Sequence, residues 1–214
     1  MPSLILMIFV LKKHHEKEGI VHGTYDDHSD RTMVEPINRL REPIFMSDHI
    51  KGVILVGHGG IPKDCPQELV TRLKRLEAQR RAAKQPPSAE EIELDTKIRR
   101  WPRTETTDPY QSGLEAVGAV LRPQLNGVLF ALAYNEFCAP TLEEAVEDLV
   151  HQGATSITVL TTMFTPGGSH SEVEIPEILD HLRPTYPAVD LRYAWPFDLQ
   201  LIAKTLTDQL RRWS

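Results

Sequence analysis

A chain of 214 residues, 41% of them hydrophobic and 25% charged, can bury one sizeable core but is short for two full domains. Its 30 acidic and 24 basic residues leave a formal charge of −6, the opposite of the basic footprint that general nucleic-acid binding needs. The scattered placing of 16 prolines and 12 glycines excludes collagen-like and low-complexity chains, and the two cysteines, Cys65 and Cys138, form neither a CxxC pair nor a disulfide framework, as in a reduced cytoplasmic protein.

The apolar run at residues 4–11 falls well short of the ~20 residues a membrane-spanning helix requires. It has no basic segment before it and no small-residue cleavage site after it, so it is not read as a signal peptide, and no membrane partner is expected. Residues 1–50 keep no helical or strand period and read as a poorly ordered leader. Five of the nine histidines lie there: His14, His15, His22, His28 and His49. A His/Asp-rich tract can collect divalent metals, but a solvated tail explains it more simply.

Residues 51–214 read as one α/β domain. Val53-Ile54-Leu55-Val56 is a buried strand that ends at Gly57-His58-Gly59-Gly60. A helix is predicted over residues 66–84, with Leu69, Leu73 and Leu76 on one face, broken by Gln85-Pro86-Pro87. Ser88-Ala89-Glu90-Glu91 opens a second helix with a capping box, and residues 110–121 form a third. Residues 128–134 are the second strand. Thr141-Leu142-Glu143-Glu144 is another capping box, and Gly153 closes its helix. A third strand over 157–163 leads through Pro166-Gly167-Gly168-Ser169-His170 to a helix ending near Leu182. A fourth strand (189–194) and a helix over 199–212 complete the chain. Alternating apolar strands and helices predict a four-stranded parallel sheet with helices on both faces. Residues 74–108 exceed one crossover and read as a helical insertion between strands 1 and 2.

In open α/β sheets, ligands bind beyond the carboxyl ends of the strands, where strand order reverses. Those ends carry His58, Glu136 and His170. If strand 1 lies between strands 2 and 3, all three face one cleft. Two imidazoles and a carboxylate suit a borderline divalent metal. Each also has a plainer explanation as a loop residue. The glycine-rich loops admit phosphate binding at a helix N-terminus, although neither GxGxxG nor GxxxxGK[ST] is present. Residues 123–182 contain nine acidic residues and no Lys or Arg, a field that attracts cations. Residues 72–103 carry ten Lys/Arg against five acidic residues and could meet a polyanionic substrate, with a solvated helix surface as the simpler account.

The segment Ala133-Tyr134-Asn135-Glu136-Phe137-Cys138-Ala139-Pro140-Thr141, followed by Gly167-Gly168-Ser169-His170 and Ile175-Pro176-Glu177, resembles the sirohydrochlorin chelatases of the CbiX/SirB type. Gly57-His58-Gly59 matches the same family, and the resemblance covers residues 51–60 and 110–205. It implies a flavodoxin-like four-stranded parallel sheet of order 2-1-3-4 and a class II chelatase inserting a divalent metal into sirohydrochlorin: Co²⁺ toward cobalamin as the first expectation, Fe²⁺ toward sirohaem, or Ni²⁺. It implies metal-site histidines at His58 and His170 and a catalytic carboxylate at Glu136. The metal is a substrate, no organic cofactor is expected, and short family members dimerise, so a cytoplasmic homodimer is expected. A non-catalytic metal- or tetrapyrrole-binding protein of the same fold is the alternative. Two features depart from the family: the long insertion, and Asn135 where an apolar residue is expected. Ser171-x-x-Glu174 also reads as a capping box, with His170 just outside the helix N-terminus.

Overall fold

Four runs of apolar residues pair in parallel: β1 (Lys51–Gly57), β2 (Leu129–Tyr134), β3 (Ser156–Thr161) and β4 (Asp190–Tyr193), in spatial order β2-β1-β3-β4. This is the flavodoxin-like order, with β1 hydrogen-bonded to both β2 and β3. The computed structural model describes residues 49–214. The leader over residues 1–50, apart from His49 and Ile50, lies outside them, as do His14, His15, His22 and His28.

Strand alternation divides the core. Ile54 and Val56 point to one face, where they pack with Leu142, Val146 and Leu149 of α4 (Leu142–His151) and with Ile175 and Leu179 of α5 (Ile175–Leu182). Leu55, Leu132 and Tyr134 point to the other face and meet Leu114 of α3 (Pro109–Leu121). Burying each such aliphatic side chain contributes about 1.5–3 kcal/mol. Helices therefore lie on both faces, and strand order reverses between β1 and β3. The closing helix α6 (Leu199–Arg211) buries none of its residues, and Leu201, Leu206 and Leu210 stay exposed. No helix among the described residues is long and apolar enough to cross a membrane.

Two helices precede α3 in the β1–β2 connection: α1 (Gln67–Ala83) and α2 (Ala89–Arg99). They form a hairpin with its own small core of Val70, Leu73, Leu94 and Ile98, against which Trp101 and Phe137 pack. The Ser88 capping box forms only by half. The Ser88 hydroxyl accepts the Glu91 N–H at 3.1 Å, but the Glu91 carboxylate turns to Arg80 at 2.6 Å. Glu91 is buried, and a buried carboxylate gains more from a cation than from a neutral amide. At Thr141 both halves of the box are present. Gly153 (φ +92°) ends α4 with its N–H on Val150 and the next N–H on Leu149, a Schellman closure.

Candidate metal centre

The ends of β1 and β2 are locked together through the backbone. Asn135 N–H donates to Gly57 O at 2.9 Å and Glu136 N–H to His58 O at 2.8 Å, which carries the β1–β2 ladder beyond the strands. Gly59 makes this approach possible. Its φ is +91°, and a Cβ there would sit 1.8 Å from the Glu136 carbonyl oxygen. The backbone N–H of His58 donates to the Tyr110 hydroxyl at 2.7 Å, so the first turn of α3 also holds this loop.

His58, Glu136 and His170 converge, each offering a ligand atom within 4.8 Å of the others. Glu136 Oε1 lies 3.6 Å from His58 Nδ1 and 3.6 Å from His170 Nε2. The rings meet edge to face, with centroids 4.7 Å apart. A tetrahedral ion with bonds of about 2.0–2.1 Å separates its ligand atoms by about 3.4 Å, so small rotamer changes would close the set on one cation. Beside it opens a cleft of about 520 Å³ bordered by His58, Tyr110, Met163, Phe164 and His170.

The two imidazoles are held differently. The His58 side chain is half exposed, whereas His170 is 23% exposed and its Nδ1 lies 2.8 Å from Glu174 Oε2. The Asn135 amide nitrogen lies 2.8 Å from the same carboxylate oxygen and from His170 Nδ1. Burial pushes the Glu174 carboxyl up. The hydrogen bonds from His170 and Asn135, with the His170 and Arg81 charges, outweigh it and hold the group below the usual range.

A family model described as CbiX matches residues 105–212, half of the chain. The chain belongs to the CbiX family. A sirohydrochlorin cobaltochelatase of Priestia megaterium is 27% identical over 89 residues, 42% of this chain and 29% of the relative. The match thus spans under a third of that relative's length. Two solved structures are also similar. The sirohydrochlorin chelatase SirB from Bacillus subtilis subspecies spizizenii in complex with cobalt has 20% identity and a TM-score of 0.36 over 68% of this chain and 43% of that one. SirB from Bacillus subtilis with Fe³⁺ has 21% identity and a TM-score of 0.37 over 72% and 43%. Within this CbiX-family chain, Glu136 and His170 lie inside the matched segment, while His58 and the α1–α2 hairpin lie outside it.

The Ser171-x-x-Glu174 capping box is corrected. Residues 170–174 already form a π turn, in which the Ile175 N–H reaches back to His170 O, so His170 is the first helical residue and not the one outside it. Pro176, lacking an N–H, cannot extend an ordinary i→i−4 ladder here. Both supposed box members are engaged elsewhere: the Ser171 hydroxyl donates to Met163 O at 2.9 Å, and Glu174 faces His170. The glycine-rich loop is also spoken for, because Gly167 N–H donates to Glu172 at 2.8 Å, filling a donor that a phosphate would need. Cys65 and Cys138 are free thiols, both buried.

Three neighbours of the site were not read as such from the CbiX-like sequence. Glu174 stands four residues after His170, a spacing that places both on one helix face, and this signal was legible. Asn135 was marked only as a departure from the family pattern. Tyr110 had no local signal, because 52 residues separate it from His58.

Proposed function

We propose that this CbiX-family chain is a chelatase that inserts a divalent cation, cobalt first among the candidates, into sirohydrochlorin. The observation that carries this reading is the convergence of two imidazoles and a carboxylate on an open cleft. Sirohydrochlorin and cobalt come from the name of the Priestia megaterium relative. Metallating a tetrapyrrole requires stripping water from the cation, presenting it to the ring nitrogens and accepting two pyrrole protons. Neutral imidazoles at His58 and His170 suit the first two tasks. Glu136, between them, would draw in the hydrated ion and take up a proton. The half-exposed His58 borders the cleft that would admit the substrate.

The hairpin supports a polycarboxylate substrate. Lys74 Nζ sits 5.5 Å from the centroid of the Phe137 ring, next to Glu136. Arg81 is two turns further along α1, on the same side, and its charge reaches Glu174. Neither makes an ion pair among the described residues, unlike Arg72, Arg80, Arg99, Arg100 and Arg103. In this reading residues 51–214 act as one unit, residues 1–50 contribute no catalytic group, and a second copy supplies the facing wall of the cleft as a homodimer.

Incubating the full chain with sirohydrochlorin and Co²⁺, Fe²⁺ or Ni²⁺ and following the absorbance change tests the reaction and ranks the metals, which a His/His/Glu set discriminates poorly. Turnover with at least one ion is expected, with Glu136→Gln slowing it while leaving detectable activity. Stoichiometric binding of metal or tetrapyrrole without turnover would make the chain a binding protein. A monomer with full activity would reject the dimer.

A further inference from the structure

Asn135 and Glu174 surround the one ring nitrogen of His170 that does not face Glu136. A histidine can give Nε2 to a cation only when its proton sits on Nδ1, and the group beside Nδ1 decides this. Three atoms lie mutually 2.8 Å apart here: His170 Nδ1, Glu174 Oε2 and Asn135 Nδ2. They admit two arrangements. In one, Nδ1–H and the Asn135 amide both donate to the carboxylate, and the Nε2 lone pair points at Glu136 and His58. In the other, the amide donates to a bare Nδ1, the proton moves to Nε2, and the metal-facing nitrogen is blocked.

We propose that Glu174 is a positioning residue that selects the metal-ready tautomer of His170, and that Asn135 aims its carboxylate while becoming an antagonist when that carboxylate is removed. A carboxylate has only acceptor atoms, so two donors converge on it without conflict. The orientation of Asn135 agrees: turning its amide over would set Oδ1 against the Glu174 carboxylate, and Oδ1 as placed is buried with no partner among the described residues. The amide therefore keeps its nitrogen toward Glu174 even with its oxygen unsatisfied, a cost tolerated only where the donated bond is to a charged acceptor. The π turn at residues 170–174 brings His170 and Glu174 together in this geometry. The departure of Asn135 from the family pattern thereby acquires a role.

This proposal rests on the reading of His170 as a metal ligand, and its test separates the two. Long-range ¹⁵N–¹H spectra of the full, metal-free chain report the His170 tautomer directly, and titration with Co²⁺ alone reports affinity without turnover. Wild type is expected to hold Nδ1–H. Glu174→Ala is expected to shift the population toward Nε2–H and weaken Co²⁺ binding about 10- to 100-fold, with the KM for the tetrapyrrole unchanged. Asn135→Ala in the Glu174→Ala background should recover part of the lost affinity, and Asn135→Asp in that background more, because it restores an acceptor beside Nδ1. Glu174→Gln, nearly isosteric, should give a mixture of tautomers and keeps the test open where Glu174→Ala folds poorly. A wild-type Nε2–H tautomer, or unchanged Co²⁺ affinity in both Glu174 variants, would overturn the proposal while leaving the chelatase reading standing. Co²⁺ binding that follows these variants in a chain without turnover would do the reverse.

Discussion

The carboxyl end of the sheet and the α1–α2 hairpin packed on Phe137 differ most in charge. Residues 123–182, which supply Glu136 and His170, hold no Lys or Arg, whereas residues 72–103 hold ten. The sheet end is built by strand pairing and is fixed by β1, β2 and β3. The hairpin has a separate core, and Arg99 at its end and Arg103 just after it grip the loops beyond β1 and β2. Arg99 donates to Cys138 O at 3.2 Å, and Arg103 reaches Gly60 O, Phe137 O and the buried carboxylate of Asp108. Under the proposed function the contrast assigns attraction for a cation and attraction for a polyanion to different elements, while the hairpin side also props the loops beyond β1 and β2.

The sharpest way to break this division is at the cation side. His58→Ala and His170→Ala are each expected to cut metal insertion by at least about 100-fold, the upper end of the loss when a residue that only orients a metal ligand is removed. Thermal melts should move little, since both side chains border the cleft. If both variants metallate sirohydrochlorin at the wild-type rate, the proposed mechanism is wrong even with the fold intact.

The prop is tested next, at Arg103. Its ion pair with Asp108 is almost fully buried. Arg103→Met strands a buried carboxylate and should cost about 3–5 kcal/mol in urea unfolding, with Asp108→Asn in the same chain restoring much of it. A loss under about 1 kcal/mol would show that the hairpin does not depend on this pair.

The polyanion side is tested by Lys74→Ala and Arg81→Ala. Each is expected to raise the KM for the tetrapyrrole about 2- to 5-fold, the range of exposed charge contacts, without changing the KM for the metal. The effect should fade at about 1 M salt, where the Debye length is about 3 Å. A change in the metal KM would mean that the two charge fields are not separable.

Two smaller effects belong to the sheet half alone. Thr141→Ala removes a complete capping box and should cost about 1 kcal/mol of stability with turnover unaltered. Burial pushes the Cys138 thiol up to about 11 from an ordinary value of 9.0, against the lowering charge of Arg103. Between these values the unfolded chain sheds this proton and the native chain keeps it. Native stability should therefore fall as pH rises from 9.0 toward 11. Urea midpoints across that window should fall less steeply for Cys138→Ala than for wild type.

Much of this architecture was legible in residue order. The runs at residues 53–56, 128–134 and 157–163 are apolar and bounded by turn residues. Gly57-His58-Gly59 and the Thr141 box mark where elements stop and start. These are local preferences that act wherever the segment lies, so strand number and helix positions could be inferred, whereas the sheet order came with the family resemblance and is the order observed. The meeting of His58, Glu136 and His170 followed from that order, because parallel strands bring their carboxyl ends to one edge. The pattern at residues 171–174 misled, since the same Ser and Glu serve a capping box or a π turn, and Pro176 together with the neighbouring Asn135 tips the balance.

Tertiary contact alone settled the remainder. Neither the direction of the Asn135 amide nor the turn of Glu91 away from Ser88 toward Arg80 is written in any local pattern. The docking of the hairpin on Phe137 and the reach of Tyr110 to the His58 backbone join residues dozens of positions apart. A buried polar group takes whichever partner the packed chain brings near, because leaving it without one costs more than any local preference returns. Spacing in sequence placed His58, Glu136 and His170 at one edge; the packing of distant segments chose which nitrogen of His170 faces Glu136.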